Sequence, residues 1–306
     1  MRKIVVSTFL IGTISLFAFD YNLEPKKINQ NTWCFLGKLE APSKKNGGFM
    51  SNHCFVNTGK NYVLIDAGGT YEIARQAYEE MSKISKLPVH TVILTHEHDD
   101  HWLGASYYKE KFNSKLIGTS LINKNYTLDS KTRMFKTLSK DEIKNTKIIK
   151  VEKEITEPTI IKVDNTEFQI IPVGVKAHTS EDLFVYIPSN KTIFSSDLVM
   201  NGRITSNRDG SVIGELKAVK MMNEMDYENL IPGHGHDTSK NAINETKQYF
   251  TLLKQRVMKA VEDDIGVGEV TKVVKMEEFK DKALFEQLNK RNVFDAYGEL
   301  EFYEEE

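Results

Sequence analysis

Thr95-His96-Glu97-His98-Asp99-Asp100-His101 is the stretch on which the reading of this chain turns. It follows directly on Val89 to Leu94, a β-branched run that reads as a buried strand. Side chains at the end of such a strand are held by a fixed backbone and freed by a loop, which suits a site. His96, His98, Asp100 and His101 form the pattern H-x-H-x-D-H. Neutral imidazole and carboxylate are preferred donors for catalytic zinc. Their alternation in an extended turn lets His96 and His98 reach one metal while Asp100 and His101 face another. Read instead as a polar loop that binds nothing, the same residues would be crowded together, repelling one another or unsatisfied.

Working outward, the N-terminal side predicts strands at 31–38, 52–58 and 62–66, closed by Gly68-Gly69. A helix is predicted at 70–86, with Ile73, Ala77, Met81 and Ile84 at helical spacing and Pro88 beyond its end. On the C-terminal side come a helical patch at 103–112, a strand at 115–118 and a polar, helical stretch at 120–147 expected as a surface insertion over the site. Strands are predicted at 148–153, 159–163 and 167–172, the last two joined by the turn Asp164-Asn165. Two more, at 182–187 and 191–196, are joined through Pro188-Ser189-Asn190, and helices follow at 211–225 and 240–263. Strands followed by helices in each half predict an α/β fold, two sheets packed face to face with helices outside. No repeat and no Pro/Gly/Ser linker divides the chain, and the acidic run Glu299 to Glu306 reads as a solvated tail.

With 306 residues, 40% apolar and 27% charged, the composition is globular. Residues 1–18 read as a secretory signal, with Arg2 and Lys3 ahead of an apolar run to Phe17, leaving one domain at 19–306 in the periplasm or secreted. An uncleaved anchor stays open, because Leu16 is larger than the cleavage pattern prefers. The net charge of −2 becomes −4 without Arg2 and Lys3, and no basic stripe offers itself to nucleic acid. Cys34 and Cys54, in short apolar stretches, are expected to pair as a disulfide in an oxidising compartment. Two buried thiols or metal ligation are the alternatives.

Four further landmarks follow in order: Asp66 in Ile65-Asp66-Ala67-Gly68, His178 in Ala177-His178-Thr179, Asp197 in Ser195-Ser196-Asp197-Leu198, and His234 in Pro232-Gly233-His234-Gly235. With the histidine stretch they make the chain resemble the metallo-β-lactamase superfamily over nearly all of residues 19–306, with Ala177 and Ser196 where that family carries glycine. The resemblance implies an αββα sandwich of two packed mixed β-sheets with helices on both outer faces. It also implies a first metal on His96, His98 and His178, a second on Asp100, His101 and His234, and Asp197 bridging both. The expected ions are two Zn2+, with iron or manganese as substitutes. Asp66 is expected to orient a ligand from behind. Each residue keeps an ordinary alternative: a partly buried imidazole for His178, a cap for Asp197, a solvent-facing loop for His234, a turn for Asp66.

The chemistry expected from that pair is attack of a metal-bound hydroxide on a polarised carbonyl, with Asp100 steering the proton as the catalytic residue. Arg203, in Asn201-Gly202-Arg203, and the neighbouring Arg208-Asp209-Gly210 are expected near the rim. Arg203 is a candidate for a substrate carboxylate or for a surface ion pair. Glu97, Asp99, His53, His90 and His236 receive no role. Within the superfamily the chain is similar to exported hydrolases of the quinoprotein relay zinc metallohydrolase group, a kinship that names no substrate. The bridging Asp197 also resembles hydroxyacylglutathione hydrolases, which cleave thioesters, so β-lactam hydrolysis is expected as a side activity at best. The expected function is thus a binuclear zinc hydrolase of a small ester, thioester, lactone or amide-like substrate. It has no nucleic-acid partner and no stable membrane anchor once the leader is removed. The competing classes are a mononuclear iron oxidoreductase resembling persulfide dioxygenases and a metal-binding protein without turnover.

Overall fold

Short strands separated by turns build two sheets. The first runs in chain order through β1 (Lys26–Lys27), β2 (Thr32–Phe35), β3 (His53–Asn57), β4 (Tyr62–Ile65), β5 (Val89–Leu94), β6 (Lys115–Gly118) and β7 (Lys153–Glu154). It is antiparallel up to β4 and parallel from there on. The second contains β8 (Thr159–Val163), β9 (Thr166–Pro172), β10 (Leu183–Ile187), β11 (Thr192–Met200) and β12 (Asn229–His234), in the order β12-β11-β10-β9-β8, with only β11 and β12 parallel. The structure, a computed structural model, describes residues 19–127 and 132–304, so the leader expected at 1–18 and the last two residues of the acidic end lie outside the described residues.

Side-chain alternation decides what each face buries. On β4, Val63 and Ile65 join Cys34, Cys54, Val56 and Ile93 in a core shared with Phe168, Ile170, Val185 and Phe194 of the opposite sheet. Tyr62 and Leu64 point the other way, onto α1 (Tyr71–Ile84) and α3 (Ala105–Phe112). The outer face of the second sheet is covered by α6 (Val212–Asn223) and α7 (Ile243–Glu262). The fold is therefore the expected αββα sandwich of two mixed sheets. Helix α1 starts where Thr70 Oγ1 accepts from Ile73 N, and it buries Ile73, Ala77 and Met81. Ile84 was expected in the core, but as the last helical residue it stands 47% exposed. Cys34 and Cys54 face each other across β2 and β3 with Cα atoms 4.0 Å apart and form the disulfide, which removes the thiol and metal-ligand alternatives.

Several expectations need correction. The strand expected at 148–153 shrinks to β7, because Ile148 and Val151 turn their side chains into the first-sheet core instead of pairing. The stretch 120–147 is not a plain surface insertion. Besides residues 128–131, which lie outside the described residues, it holds α4 (Leu121–Asn125) and α5 (Arg133–Thr137), and Met134 is buried beneath the site. After β5 comes a short helix α2 (Asp99–Trp102), and the chain ends in α8 (Val267–Val273) and α9 (Phe285–Leu300), with a hydrophobic cluster shared among α7, α8 and α9. Glu299 is therefore no tail residue. Its carboxylate accepts from Val212 N at 2.7 Å and Ser211 Oγ at 2.6 Å, at the start of α6.

Candidate metal centre

The site lies where β4, β5 and β12 end and β11 bends, at the carboxyl side of both parallel pairs. Asp66 closes β4 in the left-handed region (φ 57°) and its Oδ1 accepts from Thr95 N at 3.0 Å, which ties the end of β4 to the end of β5. The loop that follows carries His96 and His98, and α2 carries Asp100 and His101. His178 comes from the connection between β9 and β10. In β11 the register shifts on either side of Ser196, itself at φ 48°, and this irregularity re-aims Asp197 into the site. A Cβ on Gly233 would lie 2.0 Å from Asp197 Oδ1, so glycine is required there for the carboxylate to lie against β12. His234 then ends β12 beside it.

The structure brings all seven expected ligands together in two groups, His96, His98, His178 and Asp197, and Asp100, His101 and His234. Asp197 gives one oxygen to each side. Its Oδ2 lies 3.2 Å from His178 Nε2 and 3.5 Å from His96 Nε2, while Oδ1 lies 3.1 Å from His101 Nε2 and 3.4 Å from His234 Nε2. Asp100 Oδ2 is 3.3 Å from His234 Nε2, and His178 Nε2 is 3.0 Å from His98 Nδ1. All but His98 are buried. His96 Nε2, His101 Nε2, Asp100 Oδ2 and Asp197 Oδ1 have no hydrogen-bond partner among the described residues. Burying polar atoms unpaired is costly, and divalent cations would satisfy all of them at once, so the donor set fits such ions.

Four of the five histidines are also held from behind. His101 Nδ1 is 2.8 Å from Asp66 Oδ2, His234 Nδ1 donates to Met50 O at 2.6 Å, His96 Nδ1 is 3.1 Å from Thr95 Oγ1, and His98 Nε2 is 3.3 Å from Asp209 Oδ2. Such partners fix ring orientation, so the opposite nitrogens face the ions. Burial pushes His96 and His98 down to about 4, which keeps them neutral donors at pH 7. Burial works against charge on Asp100, yet Arg133 and His101 hold its carboxyl well below the usual range.

Arg133 and Glu215 were missed from the sequence, and Asp99 and His53 were given no role there. Arg133, on α5, pairs with Asp100 Oδ1 and reaches Asp99 Oδ1 at 3.0 Å, while Asp99 Oδ2 accepts from Met134 N at 2.7 Å. Asp99 is therefore buried in an ion pair rather than idle in a loop. Glu215 on α6 is 1% exposed, neither of its oxygens has a hydrogen-bond partner among the described residues, and it lies 3.7 Å from the equally unpartnered Nδ1 of His178. Burial pushes its carboxyl well above the usual range. Its one sequence signal is a charge on the buried stripe Val212, Ala218, Val219 and Met222. His53, given no role, is fully buried with both ring nitrogens unpartnered among the described residues. Arg203 is not at the rim. It is 7% exposed, Nη1 lies 3.2 Å from His234 Nδ1, and no carboxylate among the described residues is within ion-pair distance of it. With Arg133 and Arg208 it lines a cavity of about 130 Å³ that opens onto His98, Asp100, His178, Asp197 and His234.

Residues 46–234 match the family model of the metallo-beta-lactamase superfamily. A metallo-beta-lactamase type 2 from Elizabethkingia meningoseptica is 26% identical over 218 residues, spanning 68% of this chain and 78% of that protein. Among solved structures, a metallo-beta-lactamase from Pontibacter korlensis superposes with a TM-score of 0.59 at 18% identity, covering 75% of this chain and 99% of its own. One from Hirschia baltica gives 0.56 at 18% identity, covering 75% and 97%. At these identities the structures are similar in fold alone.

Proposed function

This chain belongs to the metallo-β-lactamase superfamily and is a metal-dependent hydrolase, and from that premise we propose that it works with two zinc ions on a small ester, thioester, lactone or amide-like substrate. His96, His98, His178 and Asp197 would hold the first ion, and Asp100, His101 and His234 the second, with Asp197 shared. The observation that carries this reading is Asp197, whose two oxygens divide between the two groups. A single ion on the first group would leave Asp197 Oδ1, Asp100 Oδ2 and His101 Nε2 buried without a partner, which argues against a mononuclear iron centre.

When bound, such ions supply a polarised substrate carbonyl and a water acidified to a pKa near about 7. The protein's own groups do the rest. Arg133 pairs with Asp100 Oδ1 and keeps the carboxylate ionised, so Oδ2, which faces inward, is the atom left to hold the second ion and orient a water there. Arg203 presents a fixed guanidinium on the His234 side, suited to an anionic group of the substrate. The leader pattern and the disulfide support a periplasmic or secreted location. A second reading, β-lactam hydrolysis, is favoured by the type 2 metallo-beta-lactamase named above.

The test is elemental analysis of the purified protein joined to an assay panel of thioesters, aryl esters, lactones and β-lactams. Two zinc per chain with turnover of at least one panel member is expected. One iron per chain with oxygen uptake, or no turnover above that of free zinc, would sink the proposal.

A further inference from the structure

Part of the lining of the cavity comes from a segment beyond the residues the family model matches. Leu284 and Leu288, at the start of α9, line it together with Met50 and Met200. Leu284 sits at φ 63° and ψ 11°, a left-handed conformation that a branched side chain adopts only when its surroundings impose it. Here the imposition is visible. Ala283 exchanges backbone hydrogen bonds with the loop that carries Arg203, Ile204 N donating to Ala283 O at 2.9 Å and Ala283 N donating to Gly202 O at 3.1 Å. One turn beyond Leu288, the buried Asn292 donates to Thr205 O at 2.7 Å and accepts from Asn207 N at 2.9 Å. The strained leucine is thus pinned against the metal cavity from both sides.

The cavity is partly open to solvent, with a volume of about 130 Å³. A cavity of roughly 150 Å³ takes one benzene ring, and pockets for drug-sized ligands run from about 300 to 1,000 Å³. Resting on the hydrolase reading, we infer that Leu284 and Leu288 act as a size filter: the substrate presents a short, compact apolar acyl group to this wall, and long-chain acyl esters and bicyclic β-lactams are excluded. The leucines determine which carbonyl reaches the ligand cluster, while the ligands themselves leave that choice open.

The experiment uses the zinc-loaded full chain and its Leu284→Gly and Leu288→Ala variants, assayed on p-nitrophenyl acetate, butyrate and octanoate and on a chromogenic cephalosporin. Glycine suits the left-handed position, so L284G removes the side chain without adding backbone strain. The wild type is expected to favour acetate over octanoate in kcat/KM by roughly tenfold or more, and each variant to narrow that ratio by about the same factor. Octanoate preferred by the wild type, cephalosporin turned over faster than acetate ester, or a ratio unmoved in both variants overturns the filter. Calorimetric affinities for acetate, butyrate and octanoate ions read the same grading without turnover. Graded affinity with no hydrolysis sinks the hydrolase reading and keeps the filter, whereas hydrolysis with ungraded affinity does the reverse, and neither property appearing overturns both.

Discussion

Glu215 places an unpaired carboxyl directly behind His178, and that single residue separates metal affinity from stability. A buried carboxyl without a partner destabilises a core, whereas behind a metal-bound imidazole it accepts the ring N–H and strengthens ligation. Glu215→Leu should therefore weaken metal binding at the His178 group by about tenfold or more while raising the melting temperature of the metal-free protein. Chelator competition and thermal melts read the two effects, and unchanged affinity would remove Glu215 from the site. His53 makes a different prediction. Burial lowers its imidazole from 6.5 to about 4, so between those values the unfolded chain binds a proton that the folded protein refuses. Its share of stability is full above pH 6.5 and is lost as the pH falls toward 4, amounting to about 2 kcal/mol already at pH 5. Urea unfolding at pH 7.5 and pH 5 should show a loss to which the equally lowered His96 and His98 also contribute, and His53→Leu should shrink it by about 2 kcal/mol. At this scale the seven residues that meet in the two groups were legible because few side chains suit a metal ion and the order of the landmarks is constrained. Glu215 was not, since an acid on a helix stripe announces nothing until its neighbours are known. Asp99 was misread because Arg133 lies 34 positions away in sequence.

Helix α6 shows how an element depends on a residue far along the chain. Ser211 caps it and Glu299 accepts from the first free N–H groups, so Glu299→Ala should cost about 1–2 kcal/mol and lower the melting temperature by a few degrees. A melt indistinguishable from wild type would show that solvent replaces the carboxylate. The bridge between β2 and β3 closes a separation of 20 residues, and its reduction should cost about 3 kcal/mol, read as a shift in the urea midpoint. Strands β5, β6 and β8 were legible to the residue because β-branched runs bounded by turns leave little choice. Strand β11 runs on to Met200 past the expected end at 196, since the irregularity at Ser196 breaks the pattern without ending the pairing. Strand β12 was invisible because Pro232-Gly233 reads as a breaker, although the parallel pairing to β11 tolerates it. The weakly patterned α8 and α9 left no signal strong enough to place them.

For the whole molecule, the ligand cluster fastens one sheet to the other. His96 and His98 follow β5 of the first sheet, whereas His178, Asp197 and His234 come from the second. Ions bound there favour only the assembled sandwich, so stripping them should lower stability and activity together. At a free zinc level about 100 times the dissociation constant, the difference is about 2.7 kcal/mol. Readdition of zinc should restore both. Loss of activity with an unshifted melt would mean that the metals do not link the sheets. The layered architecture was legible because two-residue alternation in the strands and the histidine stretch agree on it. What sequence could not supply was how α9 folds back onto the loop 201–210, a contact between distant segments with no local pattern. That contact also sets an order of events during synthesis. Every candidate ligand from His96 to His234 is synthesised before Leu284 and Glu299, so the residues of the cluster precede the segment that walls the cavity. A chain lacking α9 would lose the wall beside the cavity and the carboxylate at the start of α6 in one stroke.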